Sequence, residues 1–388
     1  VSGYVTYDTE EICDCDFASA SIIDGTKQFE EYEQFSQEIR LTSQGGETFD
    51  YIVGAYYQTN ELDISDITNV PEDSLLRLLA PPFAGISARR NYEADSDAWS
   101  VFAQGTWNIN DVWRLTVGGR YTSEDKEGSR MISLYQGETG YGDARPLLNA
   151  LFAQFGIEAH SIEDDRDESA FTPIVTLQWD VSDEAMIYAT YVTGFKSGGF
   201  DLRSNGHPDP AVGNPGIVGV FEFEEEEATS YEIGAKMGLL DGRAELNVAA
   251  FFTDYDDLQT SVFDGILGFN VNNAGGAEIK GVELDGRWLI SEGFTLSGSV
   301  GFLDFEFTEF PNSQCYFGQT AASCAVTGTA DASGERKEYT PEWKWAITGD
   351  YVTPIGNSLE FRATADVSYV DEYTAVPNLD PKGSQDSY

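Results

Sequence analysis

Basic residues are scarce in this sequence: Lys and Arg total 22 against 67 Asp and Glu, a formal net charge of -45 at pH 7. That balance excludes nucleic acid as a partner, because neutralising phosphates needs basic surface; cations, or anionic surfaces bridged by cations, are expected instead. Long apolar runs are lacking as well. No uninterrupted stretch approaches the roughly 18 residues of a membrane-crossing helix, so a helical membrane protein is excluded. Histidine occurs only at His160 and His207. His160 with Asp164 or Asp165 could begin a hydrolytic site, but no nucleophile motif accompanies them, and no enzymatic activity is expected. The four cysteines fall into two groups, Cys13 with Cys15 and Cys315 with Cys324. Neither group completes a zinc set. The spacing in "SQCYFGQTAASCAV" favours a disulfide between Cys315 and Cys324 in an oxidising compartment, whereas bridging Cys13 to Cys15 would be strained. A Pro/Ser-rich linker is also missing, so residues 1–388 read as one continuous architecture.

What the sequence has is a two-residue period. In "SLEFRATADVSYV", from Ser358, Leu359, Phe361, Ala363, Ala365, Val367 and Tyr369 alternate with polar residues, as on a strand with one apolar face. The pattern recurs in about thirteen segments, many of 10 to 14 residues, including "TFDYIVGAYYQ", "AWSVFAQGTWNI", "VWRLTVGGRYTS" and "RAELNVAAFFT". Those lengths suit tilted membrane-spanning strands and exceed ordinary globular ones. One helical segment is expected, "ARPLLNALFAQFGI" at residues 144–157.

The connections alternate between two kinds. Short polar turns lie at "SQGGE", "NIND", "DVSDE", "LLDGR", "ISEG" and "TPIGNS", rich in the residues tight hairpins need. Between them lie long acidic or Gly-rich stretches, residues 8–33, 60–96, 124–169, 197–226, 255–276 and 309–337, read as loops. An up-and-down meander with turns at one end and loops at the other predicts an all-β, antiparallel transmembrane β-barrel, with short periplasmic turns and long extracellular loops. The aromatics agree. Trp107, Trp113, Trp179, Trp288 and Tyr351 lie on the turn side, and Trp99, Trp343, Trp345, Tyr57, Tyr121 and Tyr369 on the loop side, as two interfacial girdles would. Trp113 and Tyr121 share a face eight residues apart; at about 3.3 Å per residue and about 40° of tilt they span about 20 Å of depth, close to the apolar band of such barrels.

Successive segments, "FSQEIRLTS", "FDYIVGAYYQ", "MIYATYVTGFKSGGFD", "SYEIGAKMGLLDGRAELNVAAFFTDYDDLQ", "NNAGGAEIKGVELDGRW" and "TPEWKW", resemble in order the barrel of TonB-dependent outer-membrane receptors. The resemblance implies a 22-stranded barrel closed by a plug and import of a scarce nutrient with energy passed on by the TonB protein. The ligand it implies most often is a ferric siderophore, with cobalamin and oligosaccharides as alternatives; a passive porin is the reading from another class. The thirteen segments would supply only part of such a barrel. Plug, TonB box and last strands are expected in sequence outside this chain, so TonB contact would be made there. Outer-membrane lipid and lipopolysaccharide are the expected surroundings. The strings "FRAT" and "VPNL" echo a haem-receptor signature, but no histidine lies between them.

Candidate site residues follow from chemistry and placement. Clustered carboxylates at Asp254, Asp256, Asp257, Glu224 and Glu225 suit a hard cation such as calcium, beside the simpler reading of a solvated acidic surface; no resident cofactor is otherwise expected. "GFKSGGF" at residues 194–200 reads as a rim turn where glycines allow close backbone approach, with Lys196 a candidate ligand contact. The loop aromatics Tyr92, Tyr135, Tyr141 and Tyr316, with Phe83, could stack on a catecholate or a sugar.

Overall fold

The computed structural model describes every residue except 14–23, 76–84, 137–138, 141–145, 154–156, 210–219, 264–268, 317, 320–328 and 377. Thirteen long strands follow one another through one sheet, which also carries a two-residue strand (Thr139–Gly140) beside the fifth: β1 (Ser2–Cys13), β2 (Asp24–Thr42), β3 (Phe49–Val70), β4 (Ile86–Asn108), β5 (Trp113–Gln136), β6 (His160–Ser182), β7 (Ala185–Lys196), β8 (Glu226–Leu239), β9 (Ala244–Asp256), β10 (Gly276–Ser291), β11 (Phe294–Glu309), β12 (Trp343–Ile355) and β13 (Leu359–Val370). Each pairs antiparallel with its neighbours in sequence, so the meander is strictly up-and-down. All six short turns join strands where the sequence placed them. At "LLDGR" the chain reverses through Asp241 and Gly242, at φ 57° and 78°, with Arg243 N–H donating to Leu240 O, the left-handed backbone that a two-residue hairpin of this hand requires.

Cross-strand register places the apolar parity on one face. Val117 lies between Gly105 and Val175, and Trp113 opposite Trp179, whose rings stack 5.5 Å apart. Near the other end, Trp99 meets Tyr121 at 5.6 Å and Trp345 meets Tyr369 at 5.8 Å. The outer surface therefore carries an aromatic band at each end and aliphatic side chains between them, as a bilayer dictates. Leu359, Phe361 and Val367 belong to this exposed face.

The strands correct the expected loops. Residues 60–96 and 124–169 were read largely as loop, yet β3, β4, β5 and β6 run for 22, 23, 24 and 23 residues, far past the upper aromatic band. Their alternation changes phase as they leave the membrane. On β3, Tyr51, Val53 and Tyr57 face outward, but Leu62 and Ile64 face inward; on β5, Leu115 and Val117 face outward, but Ile132 and Leu134 face inward. Lipid demands apolar groups outside, whereas above it the outside is water and the inside is covered by loops. The acidic run at residues 163–168, expected in a loop, is strand β6.

Two apolar clusters fill this extracellular extension. Val70, Ile86, Ala88, Ile132 and Leu134 at the strand tips pack with Phe152 and Ile157. Phe152 belongs to the expected helix, α1 (Pro146–Ala153), with proline at its start, where a missing N–H costs nothing. Lower down, Ile64 and Tyr92 pack with Phe200 and Phe221 from the β7–β8 connection. Between β6 and β7 the sheet forks. They pair only over residues 174–182 of β6, so its upper half has β5 as its sole strand neighbour among the described residues.

Candidate functional site

The inward face of the extension is a wall of charged side chains that grips the β7–β8 connection. Its cations follow strand parity: Arg114, Arg120, Lys126 and Arg130 on β5 all alternate with the lipid-facing set, so all four line the lumen side.

Arg130 is fully buried. Its Nη1 donates to the carbonyls of Asp201 (2.6 Å) and Val220 (2.8 Å), and Nη2 to Gly206 O (3.4 Å). The Asp201 carboxylate lies 3.8 Å away and the Phe221 ring centroid 5.2 Å away. Burial pulls the guanidinium down to about 10, so it stays charged at neutral pH. Its Nε donates to His160 Nε2 (3.3 Å), while His160 Nδ1 donates to Glu158 O (2.7 Å). Both ring nitrogens are thus engaged with the imidazole neutral. Burial first, and Arg130 second, lower its pKa to about 4. Neither Asp164 nor Asp165 bonds to it, which leaves no hydrolytic pair.

Asp201 is equally buried and accepts the backbone N–H groups of Arg203, Ser204 and Val271 at 2.6–2.8 Å. Val271 lies in a small hairpin of the β9–β10 connection, so one carboxylate ties two loops together. Beside it, Arg90 bonds Asp66 (2.8 Å) and Asn205 Oδ1 (2.5 Å); burial raises the pKa of Asp66 in spite of Arg90. At the fork, Lys126 Nζ holds Ser197 Oγ (2.6 Å) and Gly198 O (2.7 Å). Glu168 takes the Gly198 N–H, its pKa raised by burial. A Cβ at Gly198 would stand 2.4 Å from Phe223 O, and one at Gly128 2.3 Å from the Phe200 ring. "GFKSGGF" is thus the close-approach turn expected of its glycines, locking the connection onto the wall.

The residues singled out in the sequence scatter. Lys196 is exposed at a lumen-facing register position opposite Glu226. Tyr92 is buried in the wall and donates to Phe200 O (3.1 Å), with burial raising its pKa; it anchors the loop and is not open to stack on a ligand. Tyr135 lies on the outer face with Arg89 4.5 Å over its ring. Tyr316 caps a turn in the β11–β12 connection, its N–H on Gln319 Oε1. Tyr141, Phe83, Cys15 and Cys324 lie outside the described residues; Cys315 is disulfide-bonded. The carboxylates proposed for a cation do not gather. Glu224 and Glu225 pair with Arg166 at 3.1 and 3.6 Å, and Asp254 and Asp256 lie on the outer face of β9. Among the described residues, no group of three or more His, Cys, Asp or Glu side chains could hold a metal ion.

The sequence reading passed over Arg90, Arg120, Arg130, Arg166 and Asp201. For the arginines of β5 and β6 a signal existed, their shared parity with the lumen face.

A protein-family model described as "TonB dependent receptor-like, beta-barrel" matches residues 2–388. The chain belongs to the TonB-dependent receptors. It is therefore an outer-membrane barrel protein. Among curated relatives of this receptor chain, the pesticin receptor of Yersinia enterocolitica is 24% identical over 328 residues, covering 81% of this chain and 41% of that receptor. The solved structure of the ferric yersiniabactin uptake receptor FyuA from Yersinia pestis shares the fold with a TM-score of 0.71 at 16% identity, over 100% of this chain and 49% of that one. The siderophore receptor PiuA from Acinetobacter baumannii gives 0.60 at 16% identity, over 94% and 49%. This receptor chain thus spans about half the length of the proteins it matches.

Proposed function

We propose that the chain is the greater part of the barrel of an uptake receptor for a metal chelate, most simply a ferric siderophore, driven by TonB through a segment outside this sequence. The observation that carries the reading is the match of residues 2–388 to the receptor barrel family, borne by a strictly up-and-down sheet with an aromatic band at each end of its outer face. Two similar structures are named for ferric yersiniabactin uptake and as a siderophore receptor, which supports the ligand class. The lumen wall binds and passes the ligand without making or breaking covalent bonds.

The test is uptake of radioactive iron by iron-starved cells producing the full-length receptor, with iron offered as a tris-catecholate or as a trihydroxamate. Accumulation that stops when TonB is deleted supports the reading. Accumulation that continues without TonB would make the barrel a passive pore.

A further inference from the structure

The membrane face of the sheet is not evenly ridged. Between β9 and β12 it sinks into an apolar groove of about 570 Å³. Its floor is a pair of glycines: Gly286 on β10 lies opposite Gly298 on β11, with Leu246 beside the first and Ile347 beside the second. Gly286 shares the parity of Val282, Leu284 and Trp288, which are exposed on the outer face. Two residues towards the loops run Leu284, Val300 and Trp345, and two towards the turns run Ala244, Trp288 and Leu296. Two positions without side chains thus lie between two rows that carry large ones. A Cβ at Gly286 would fall 2.9 Å from Glu245 O, and one at Gly298 2.9 Å from Ala346 O, so the backbone itself keeps the floor bare. Strands β9–β12 are interior to the sheet; further strands of a barrel join at β1 and β13 and leave the groove open to the membrane.

The groove begins at the turn side. Leu239 and Leu240, at the hairpin between β8 and β9, line its end and are exposed. Leu240 holds φ 57°, a backbone that leucine adopts only at a cost. Arg243 in the same hairpin is exposed, and its Nε donates to Leu240 O (3.3 Å), which keeps the guanidinium at the mouth of the groove. Asp241 stands exposed two residues away. Water does not fill an apolar hollow at this depth. Within lipid a hydrocarbon chain is retained by close packing, which a bare floor between two ridges offers on three sides. Arg243 is also the only cation of the six short turns, against Glu47, Asp111, Asp183, Glu184, Asp241 and Glu292. So acidic a rim repels a headgroup of net negative charge, whereas one that carries both signs meets a partner for each. We propose that the groove holds an acyl chain of one zwitterionic aminophospholipid of the periplasmic leaflet, its phosphate on Arg243 and its ammonium on Asp241. Such a lipid is a partner of the barrel itself, whatever ligand the receptor imports.

The test is native mass spectrometry of the full-length receptor, delipidated in detergent and titrated with phosphatidylethanolamine, phosphatidylglycerol or lipopolysaccharide. One phosphatidylethanolamine per receptor is expected, bound about fivefold more tightly than phosphatidylglycerol. Ala244→Phe and Val300→Phe fill the groove from opposite rows without touching a glycine, and each should weaken that binding by about fivefold or more. Val117→Phe, on the same apolar face but on β5, should leave it unchanged. Arg243→Gln should weaken it by about three- to tenfold, and Asp241→Asn should bring phosphatidylglycerol level with it. Circular dichroism of the strands checks that each variant is folded. Absence of a one-to-one lipid on the unsubstituted receptor, unchanged affinity in both filled variants, or tighter binding of phosphatidylglycerol or lipopolysaccharide would overturn the proposal. A receptor dimer that both filled variants dissociate would overturn it too, by giving the groove to a second copy of the chain.

Discussion

Replacing Arg130 by methionine should release the β7–β8 connection without unfolding the barrel. The side chain is fully buried and donates to three carbonyls, two of them at 2.6 and 2.8 Å. A hydrogen bond from a charged donor contributes about 1.5–3 kcal/mol, and a buried acceptor left without its donor costs a similar amount. The third contact, at 3.4 Å, adds little. Asp201 keeps its three backbone donors, but its buried carboxylate loses the cation 3.8 Å away, which adds to the cost. The two short bonds together give about 3–6 kcal/mol, lost locally because the strands hold their own ladder. At about 1.4 kcal/mol per factor of ten, amide exchange in the clamped parts of residues 198–207 and 220–224 should quicken by about a hundredfold or more, if those amides exchange through local opening. Hydrogen–deuterium exchange on the receptor in detergent reads this directly, with the amides of β8 and β9 as internal controls. Unchanged protection in the connection would refute the clamp, and equal loss in the control strands would show that Arg130 supports the barrel instead.

The membrane face can be tested by Val117→Arg, expected to destabilise the barrel by about 2–4 kcal/mol in urea unfolding from lipid, against little for Thr116→Arg next to it; equal effects would mean the faces are misassigned. His160 gives a pH dependence whose sign follows from its lowered pKa. The folded state holds it neutral, so the unfolded or released state binds the extra proton, and the clamp weakens as pH falls from about 6.5 towards about 4. Loop protection factors, with exchange corrected for its intrinsic pH-dependent rate, should therefore be lower at pH 5 than at pH 7.5, and His160→Gln should flatten that difference; Arg130, His207 and Arg90 all oppose the imidazolium, which fixes the direction. Alkylation of native receptor should leave Cys315 unlabelled until a reductant is added, and immediate labelling would exclude its disulfide.

The membrane half of the fold was readable because lipid imposes one rule along every strand, apolar outward, and turns such as "LLDGR" and "TPIGNS" mark where each strand reverses. The extracellular half obeys a different rule. In "ELDISDIT", Leu62 and Ile64 alternate as cleanly as Tyr51 and Val53 do, but in opposite phase, and the acidic residues between them suggested a loop. Tyr92 illustrates the cost. Read as a loop aromatic, it was offered as a stacking surface, whereas its even parity on β4 places it in the wall. The lumen cations of β5 were open to the same parity argument. The clamp itself was not, because Arg130 meets Val220 across 90 residues and Asp201 meets Val271 across 70, and no local pattern encodes either meeting.

The fork between β6 and β7 leaves the upper half of one long strand without a second strand neighbour among the described residues. In a crowded outer membrane such an edge invites a strand from a neighbouring molecule to add itself to the sheet. Along that edge β6 carries Glu163, Asp164, Asp165, Asp167 and Glu168, and Glu163, Asp165 and Asp167 take the outward parity. An incoming strand would have to settle beside this row of like charges, and a second copy of this receptor would bring the same row with it. Those like charges disfavour the addition of a second copy of the same strand along the fork.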